Sequence, residues 1–407
     1  MFNVIRIENS YRKLFVAGVI NGIGDRFSQV AILTLILQLT GSGLSVGLTL
    51  ALRVIPFLLF GPISSRAAEK FSRKKLLIFT DFMRAALACL FLWVKGPDDL
   101  WIIYIGSFLL ATGEAFYAPT RKASIPSVIE EINIKEVNSW EQVSLGFVLI
   151  IGAFSGGIVS YLFGAPAAFV INILSFVCAG LIICTIPTLE ADGHAENHTP
   201  GKRRSQIVSL IAASSFLLML VSFEFMVPLI SGIENVLISV YAVETFKAAD
   251  LGVGILYSVL GMGLMISPLV VKHIKGRFLP IAFLCLAMEG VFLACISQAQ
   301  SFAVVILLFG FLSIFGGVGN TLLDTAAMET IPSRWHGDYF GLTATLSNTC
   351  IGISMFATGA VLEIFSPRQM GLAAGVGYIG LGLLFFMCSL SFNLAHERKK
   401  LGDKSAA

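Results

Sequence analysis

Charge is what this chain of 407 residues has least of. Asp, Glu, Lys and Arg make up 13% of it, about half of the roughly 25% usual in soluble domains. Seven cysteines (89, 178, 184, 285, 295, 350 and 388) all fall in apolar segments with no CxxC pair, which excludes a secreted disulfide scaffold and a cysteine metal site. His194 and His198 share one loop but lack further soft ligands, so no metal is expected. A P-loop lysine motif, HExxH and GxSxG are all missing, so ATP hydrolysis and covalent catalysis have no residues to rest on, and neither an enzyme nor a cofactor is expected. Gly375-Val-Gly377-Tyr-Ile-Gly380 matches a dinucleotide fingerprint by letters alone; it follows no strand and lies in an apolar 20-mer. The net charge of +3 is too small to point to a nucleic-acid partner.

Apolar residues are abundant instead, at 56% with a mean hydropathy of +0.85. They recur in runs of about 20, the length that crosses a bilayer. Twelve spans are expected, near 13–39, 44–64, 75–95, 100–119, 138–160, 167–186, 207–241, 251–271, 278–298, 302–323, 339–362 and 370–394. The seventh is too long for one straight crossing, and is read as starting in the interface near Ile207 and bending at Pro228 or Gly232. With the N-terminus inside, the inner segments hold 22 of the 28 Lys and Arg residues and the outer loops 3. That asymmetry predicts a multi-pass protein of the cell membrane with both termini cytoplasmic. The polar stretch 187–206 is the only long one inside the chain and reads as a flexible cytoplasmic linker. It separates an N-terminal bundle, 1–186, from a C-terminal bundle with its tail, 207–407. An internal echo supports the division, since Pro56 precedes the basic turn RAAEKFSRKK and Pro268 precedes KHIKGR. Parallel six-span repeats of this kind place a binding site between two halves.

Ionisable groups inside lipid are expensive, so each needs a partner or a task. Asn21, Asp25 and Gln29 form one stripe on span 1 at i, i+4 and i+8. Asp25 lies roughly 18 Å above the inner end of span 1, and Arg53 about 14 Å below the outer end of span 2. Across a core of about 30 Å the depths nearly coincide, so the two can pair. Two readings stay open, a static bridge and a carboxylate that exchanges its proton under the influence of Arg53. Glu114 has no cation on its own helix and suits a protonatable or cation-recognising role. Glu224 and Glu234 share the seventh span, and Glu234 is kept as a proton-coupling candidate. Glu289, mid-way along span 9 among apolar neighbours, is either a protonated group hydrogen-bonded in a helix contact, the reading preferred here, or a functional one. Asp81 and Arg84, at i and i+3 near the inner end of span 3, suit a structural latch, as an intrahelical pair or one shared with the nearby basic turn. Gly152, Gly156 and Gly157 mark a face for close helix approach.

The segment Ser65-Arg66-Ala67-Ala68-Glu69-Lys70-Phe71-Ser72-Arg73-Lys74-Lys75 resembles the major-facilitator signature Gly-x-Leu-Ala-Asp-Arg-x-Gly-Arg-Arg/Lys, with Ser65 for the opening Gly and Glu69 for the Asp. LRVIPFLLFGP (52–62), TDFMRA (80–85), FYAPTRKASIP (116–126), GGVGN (316–320) and Pro332 through Gly337 are similar to the branch that holds macrolide-efflux proteins and siderophore exporters. Asp338 stands where that branch has Arg. The resemblance implies an all-α membrane fold of twelve helices in two six-helix repeats. It implies a cytoplasmic gate at Glu69, Arg73 and Lys74, extended here to Asp81 and Arg84. Gly152-Ala153-Phe154-Ser155-Gly156-Gly157 matches the antiporter signature Gly-Pro-x-x-Gly-Gly without its Pro, and so without the kink that Pro supplies. By the same analogy spans 1, 4, 7 and 10 surround the cavity. Asn21, Gln29, Arg53 and Asn320 then become candidate lining, and Asp25, Glu114 and Glu234 candidate proton carriers. The expected activity is export of a small amphipathic drug or metabolite in exchange for protons, by a monomer embedded in the bilayer. The rivals are a lipid or lysolipid flippase on the same fold and a non-transporting receptor or scaffold.

Overall fold

A computed structural model of the chain describes residues 9–125, 128, 141, 143–187, 208–212, 214–274, 277–331, 335–392, 394, 397 and 401. Among them twelve long helices follow one another, with no strand. They are α1 (Asn9–Thr40), α2 (Gly43–Lys70), α3 (Arg73–Ala88), α4 (Leu100–Ser124), α5 (Ala153–Phe163) and α6 (Ala165–Cys184). Then come α7 (Ser215–Val240), α8 (Ala249–Val271), α9 (Phe278–Gln298), α10 (Phe302–Thr330), α11 (His336–Val361) and α12 (Pro367–Ser389). Eleven of the helical segments are long and apolar enough to cross a membrane. The remaining helix, α1, is 32 residues long and carries the Asn21–Asp25–Gln29 stripe. Large apolar side chains lie bare on the outer faces, among them Phe163, Leu269 and Met387, as lipid rather than water demands.

Several helices outrun the apolar spans, because backbone hydrogen bonding continues into the interface after hydropathy has fallen. The basic segment after span 2 is therefore mostly helix. Its turn shrinks to Phe71 and Ser72, whose carbonyl accepts from Leu76 N at 3.0 Å. The expected start of the seventh span at Ile207 lies outside the described residues, and over the described ones the span is not one helix. Ser214 interrupts it, capping α7 through Leu217 N at 3.4 Å and Leu218 N at 2.9 Å. Pro228 lies inside α7, and a π-helical turn, Tyr241–Thr245, ends it. A second π-helical turn, Val148–Gly152, leads into α5. It interrupts the regular helix at the very segment where the antiporter signature would carry its proline.

The chain divides into two compact units: 1–195 with 238–261 and 359–363, and 196–237 with 262–358 and 364–407. In the first unit α1 packs along α6, α2 along α4, and α3 against α4 and α6. Tyr11, Leu14, Leu77, Tyr117, Ala179 and Ile183 form a core at one end. In the second unit α9 packs along α10 and α12, and Phe223, Phe283 and Phe385 meet at 5.4–5.7 Å between ring centres.

Close packing depends on glycine at two places. Gly152 and Gly156 lie against α1, where an added Cβ would sit 2.9 Å from Arg26 Cβ and 2.9 Å from Phe27 Cα. Gly157 faces α8 instead, and a Cβ on Gly254 would lie 3.1 Å from its Cα. Beside that crossing Ser160 Oγ donates to Asp250 Oδ1 at 2.9 Å, and Ser258 Oγ to the Ile150 carbonyl at 3.1 Å. Gly254→Leu therefore overpacks the crossing at a cost of about 1–3 kcal/mol, read as a lower thermal midpoint in detergent. Gly380→Leu, with nothing within 4 Å of its Cβ, leaves the midpoint in place. Equal midpoints for the two variants would show that the α5–α8 approach is not needed for stability.

Candidate functional site: a buried arginine network

Arg84 is the centre of the polar interior of the first unit. It is 1% exposed, and its stem passes over Gly113, where a Cβ would come within 2.6 Å of Arg84 Cγ. Arg84 stands about 16 Å along α3 from its start, and Glu114 about 15 Å along α4 from its end, by the helical rise. α3 and α4 are neighbours, so the two groups meet at one depth, with Arg84 Nη1 2.6 Å from Glu114 Oε2. Arg84 Nη2 lies 3.6 Å from Asp25 Oδ1, and Nη1 donates to Asn21 Oδ1 at 3.1 Å. The guanidinium carbon stands 4.2 Å from the centre of the Phe176 ring and 5.8 Å from that of Tyr117, close enough for cation–π attraction.

The rest of the network grows outward from these contacts. Arg53 Nη2 donates to Asp25 Oδ2 at 2.8 Å, the pair that the depth arithmetic brings together. Arg26 adds a further positive charge near Asp25 and donates to Gln29 Oε1. Asn21 Nδ2 donates to Asp81 Oδ1 at 2.6 Å. The expected Asp81–Arg84 latch is corrected here. The arginine turns to Glu114 and Asp25, into the space that Gly113 leaves, and Asp81 takes the Asn21 amide. Both residues thus belong to the interior network and not to a latch near the inner end. The network is not fully enclosed. Asp25 is 19% exposed and Glu114 is 32% exposed, against 1% for Arg84.

The other candidates lie apart. Lys74 Nζ donates to the Ile186 carbonyl past the end of α6 at 2.6 Å, and Arg73 is buried. Glu69 falls in α2, but its side chain lies outside the described residues, as do the whole of 188–206 with His194 and His198, and the side chain of Asp338. Asn320 is exposed on α10. Glu234 belongs to the second unit, where Tyr378 reaches it at 3.1 Å.

Several further groups come together, and of these only Glu224 was singled out in the sequence. Arg121 holds Glu141 through two bonds of 2.6 and 3.0 Å, and Tyr11 donates to the same carboxylate at 3.2 Å. Gly18 admits the Arg121 guanidinium. Glu224 and Asp324 line a cavity of about 30 Å³ with Tyr339 and Thr343. Gly113 beside Glu114 could also have been read beforehand, as a small residue adjoining an intramembrane charge.

Comparison with known proteins shows where this helix bundle and its ion network belong. The profile of the Major Facilitator Superfamily matches residues 14–355. The chain belongs to this superfamily. Its relatives include an uncharacterized MFS-type transporter, YfiS of Bacillus subtilis (strain 168), 22% identical over 53% of this chain and 50% of that protein. Macrolide efflux protein A of Streptococcus pyogenes is 23% identical over 39% of this chain and 40% of its own length. The staphyloferrin A transporter of Staphylococcus aureus (strain NCTC 8325 / PS 47) is 21% identical over 39% and 41%. The chain thus spans between two fifths and half of these relatives in the matched regions. Among solved structures it is similar to a D-xylose–proton symporter, with a TM-score of 0.72, 11% identity and coverage of 92% of this chain and 97% of that one. The nucleoside transporter NupG matches with a TM-score of 0.70, 12% identity and coverage of 95% and 100%. At those identities the likeness is one of fold, the twelve-helix all-α membrane fold of the superfamily.

Arg84→Ala leaves Asp25 and Glu114 with one fewer cation in a desolvated place. Breaking a buried pair on one side costs about 3–5 kcal/mol, so the thermal midpoint in detergent falls sharply. Lys13→Gln, at an exposed hydrogen bond to the Thr185 carbonyl, costs less than about 1 kcal/mol. A loss for Arg84→Ala no larger than for Lys13→Gln would show that the network does not hold the bundle together.

Proposed function

We propose that this transporter exports a small amphipathic molecule, of the macrolide or siderophore kind, across the cell membrane in exchange for protons. Both termini lie in the cytoplasm in this reading, the protein acts as a monomer, and 1–186 and 207–407 are the bodies that move in alternating access. The observation that carries it is the sharing of one buried guanidinium by two partly exposed carboxylates. Arg84 stands 2.6 Å from Glu114 and 3.6 Å from Asp25. When Glu114 takes a proton its attraction for Arg84 falls, and the guanidinium is free to close on Asp25, which Arg53 also holds. Proton occupancy on α4 thereby changes the pairing between α3 and α1. Substrate and proton need only bias one conformational equilibrium in opposite directions for exchange to follow. Proteins named for macrolide efflux and for staphyloferrin A transport among the relatives support this substrate class.

The test uses everted membrane vesicles with an acidified lumen, a pH-reporting dye, and a panel of macrolides, lipophilic cations, tetracyclines and siderophores. At least one compound discharges the gradient through the wild-type protein, and Glu114→Gln or Asp25→Asn abolishes that discharge. Discharge that persists in both variants would remove these carboxylates from coupling. If no compound acts and a fluorescent phospholipid is moved instead, the flippase takes the place of the exporter.

A further inference from the structure

The second unit holds a polar cluster built on the opposite electrostatic plan. Glu234 on α7 is 9% exposed, and the carboxylate of Glu289 on α9 lies against Gly316 of α10, where a Cβ would fall 3.0 Å from Oε1. The two acids act on one another, and no cationic side chain among the described residues faces either. The other titratable groups nearby are Tyr378 of α12 and the thiol of Cys285, one turn before Glu289. An ionised carboxylate in apolar surroundings without a cation is far costlier than a protonated one.

The contacts around Glu234 suit either protonation state, and a proton on it fixes the direction of every bond. Ser231 Oγ lies 3.2 Å from the Val227 carbonyl, Tyr378 Oη lies 2.9 Å from Ser231 Oγ, and Glu234 Oε2 lies 3.1 Å from Tyr378 Oη. Three oxygen–oxygen contacts need three hydrogens, and the two hydroxyls own one each. A carbonyl accepts only, so Ser231 donates to Val227 and Tyr378 donates to Ser231. The contact between Tyr378 and Glu234 is then filled by the hydrogen of a carboxylic acid when Glu234 is protonated, and by that of Tyr378 when it is ionised. Tyr378 cannot withdraw from the chain. It is 1% exposed, and α12 is pressed onto α9 where a Cβ on Gly290 would lie 2.8 Å from Tyr378 Cβ.

The far end of this chain of hydroxyls is the weak point of α7. Val227 precedes Pro228, which has no N–H and leaves the carbonyl of Glu224 without its helical donor. Side-chain donors also reach the next carbonyls: Ser354 of α11 donates to Leu229 O, and Asn235 Nδ2 to Ser231 O at 2.8 Å. A hydroxyl bonded to a carbonyl four residues back bends a helix.

We propose that Glu234, Tyr378 and Ser231 form a proton-operated relay that sets the bend of α7 at Pro228. A proton arriving at Glu234 forms one O–H bond, and no other covalent bond changes. The acid donates to Tyr378, the Tyr378 and Ser231 hydroxyls rotate, and Ser231 bonds Val227 O. When the proton leaves, Tyr378 donates to the carboxylate, Ser231 donates to Tyr378, and Val227 O loses its second donor. Glu234 is the binding group, Tyr378 and Ser231 are positioning residues, and Glu289 supplies no cation to offset an ionised Glu234. This deepens the proton-exchange reading and places a proton site in the second unit in addition to the arginine network of the first.

The test is infrared spectroscopy of the full chain in lipid nanodiscs, with hydrogen exchange of α7 followed across the same pH titration and corrected for its intrinsic pH dependence. At neutral pH the wild type shows the carbonyl stretch of a protonated carboxylic acid. Glu234→Gln loses that band, and Tyr378→Phe keeps it at higher frequency, because the acid has lost its acceptor while the ring still packs. Exchange of the amides around Pro228 follows the band in the wild type and is flat in Tyr378→Phe. A band absent from the wild type, or one that survives Glu234→Gln and vanishes in Glu289→Gln, overturns the site. Exchange that changes alike in wild type and Tyr378→Phe overturns the relay. If the infrared results hold while no panel compound discharges the vesicle gradient, the exporter reading fails and the proton site stands.

Discussion

A guanidinium removed from water is what the first unit is organised around. The effective penalty for burying an ion is several kcal/mol even after relaxation. Arg84 meets it with Glu114, Asp25, Asn21 and the Phe176 ring, which lie on three other helices. Each contact constrains a helix in register as well as in position. α4 must offer Gly113 beneath the arginine stem and Glu114 at its tip, and α1 must turn its polar stripe toward α3. The apolar core around Leu14, Leu77 and Ala179 supplies the bulk of the packing. The arginine selects which packing is allowed.

The two units solve the problem of polar groups in lipid differently. In the first, acids are matched by Arg26, Arg53 and Arg84, so charge is retained and shared. In the second, Glu234 and Glu289 lack a cation among the described residues, so neutrality takes a proton on each acid, and a short chain of hydroxyls leads from Glu234 to α7. A shared cation responds to protonation by choosing between partners. A hydroxyl chain responds by reversing its direction. The first moves attraction between α1 and α4, and the second delivers or withdraws a hydrogen bond at the carbonyl before Pro228.

Helix irregularities sit beside these networks. The π-helical turn at Val148–Gly152 ends on Gly152, which with Gly156 admits α1 close to Arg26 and Phe27. The antiporter signature would carry proline one residue beyond that turn, at the position of Ala153. A widened turn and a missing N–H both weaken the regular ladder, so the segment keeps its irregularity through a different residue pattern. The letters Gly375, Gly377 and Gly380 also find their place. Gly375 lies where a Cβ would come 2.8 Å from Gly290 O, and that approach of α12 to α9 carries Tyr378 to Glu234.

Twelve helices, their order and the depth of Asp25 against Arg53 were legible in the residues, because lipid imposes length and hydropathy on each span separately and the helical rise converts position into depth. The polar stripe of α1 was legible for the same reason. Partner choice was not. Arg84 and Asp81 are neighbours on one helix by spacing, yet the side chains part, since Gly113 on another helix opens the path to Glu114. Arg121 and Glu141, or Glu234 and Tyr378, stand 20 and 144 residues apart, and no periodicity links them. Each span was determined by its own composition, whereas every pairing of charges and hydroxyls was decided by which helices pack side by side.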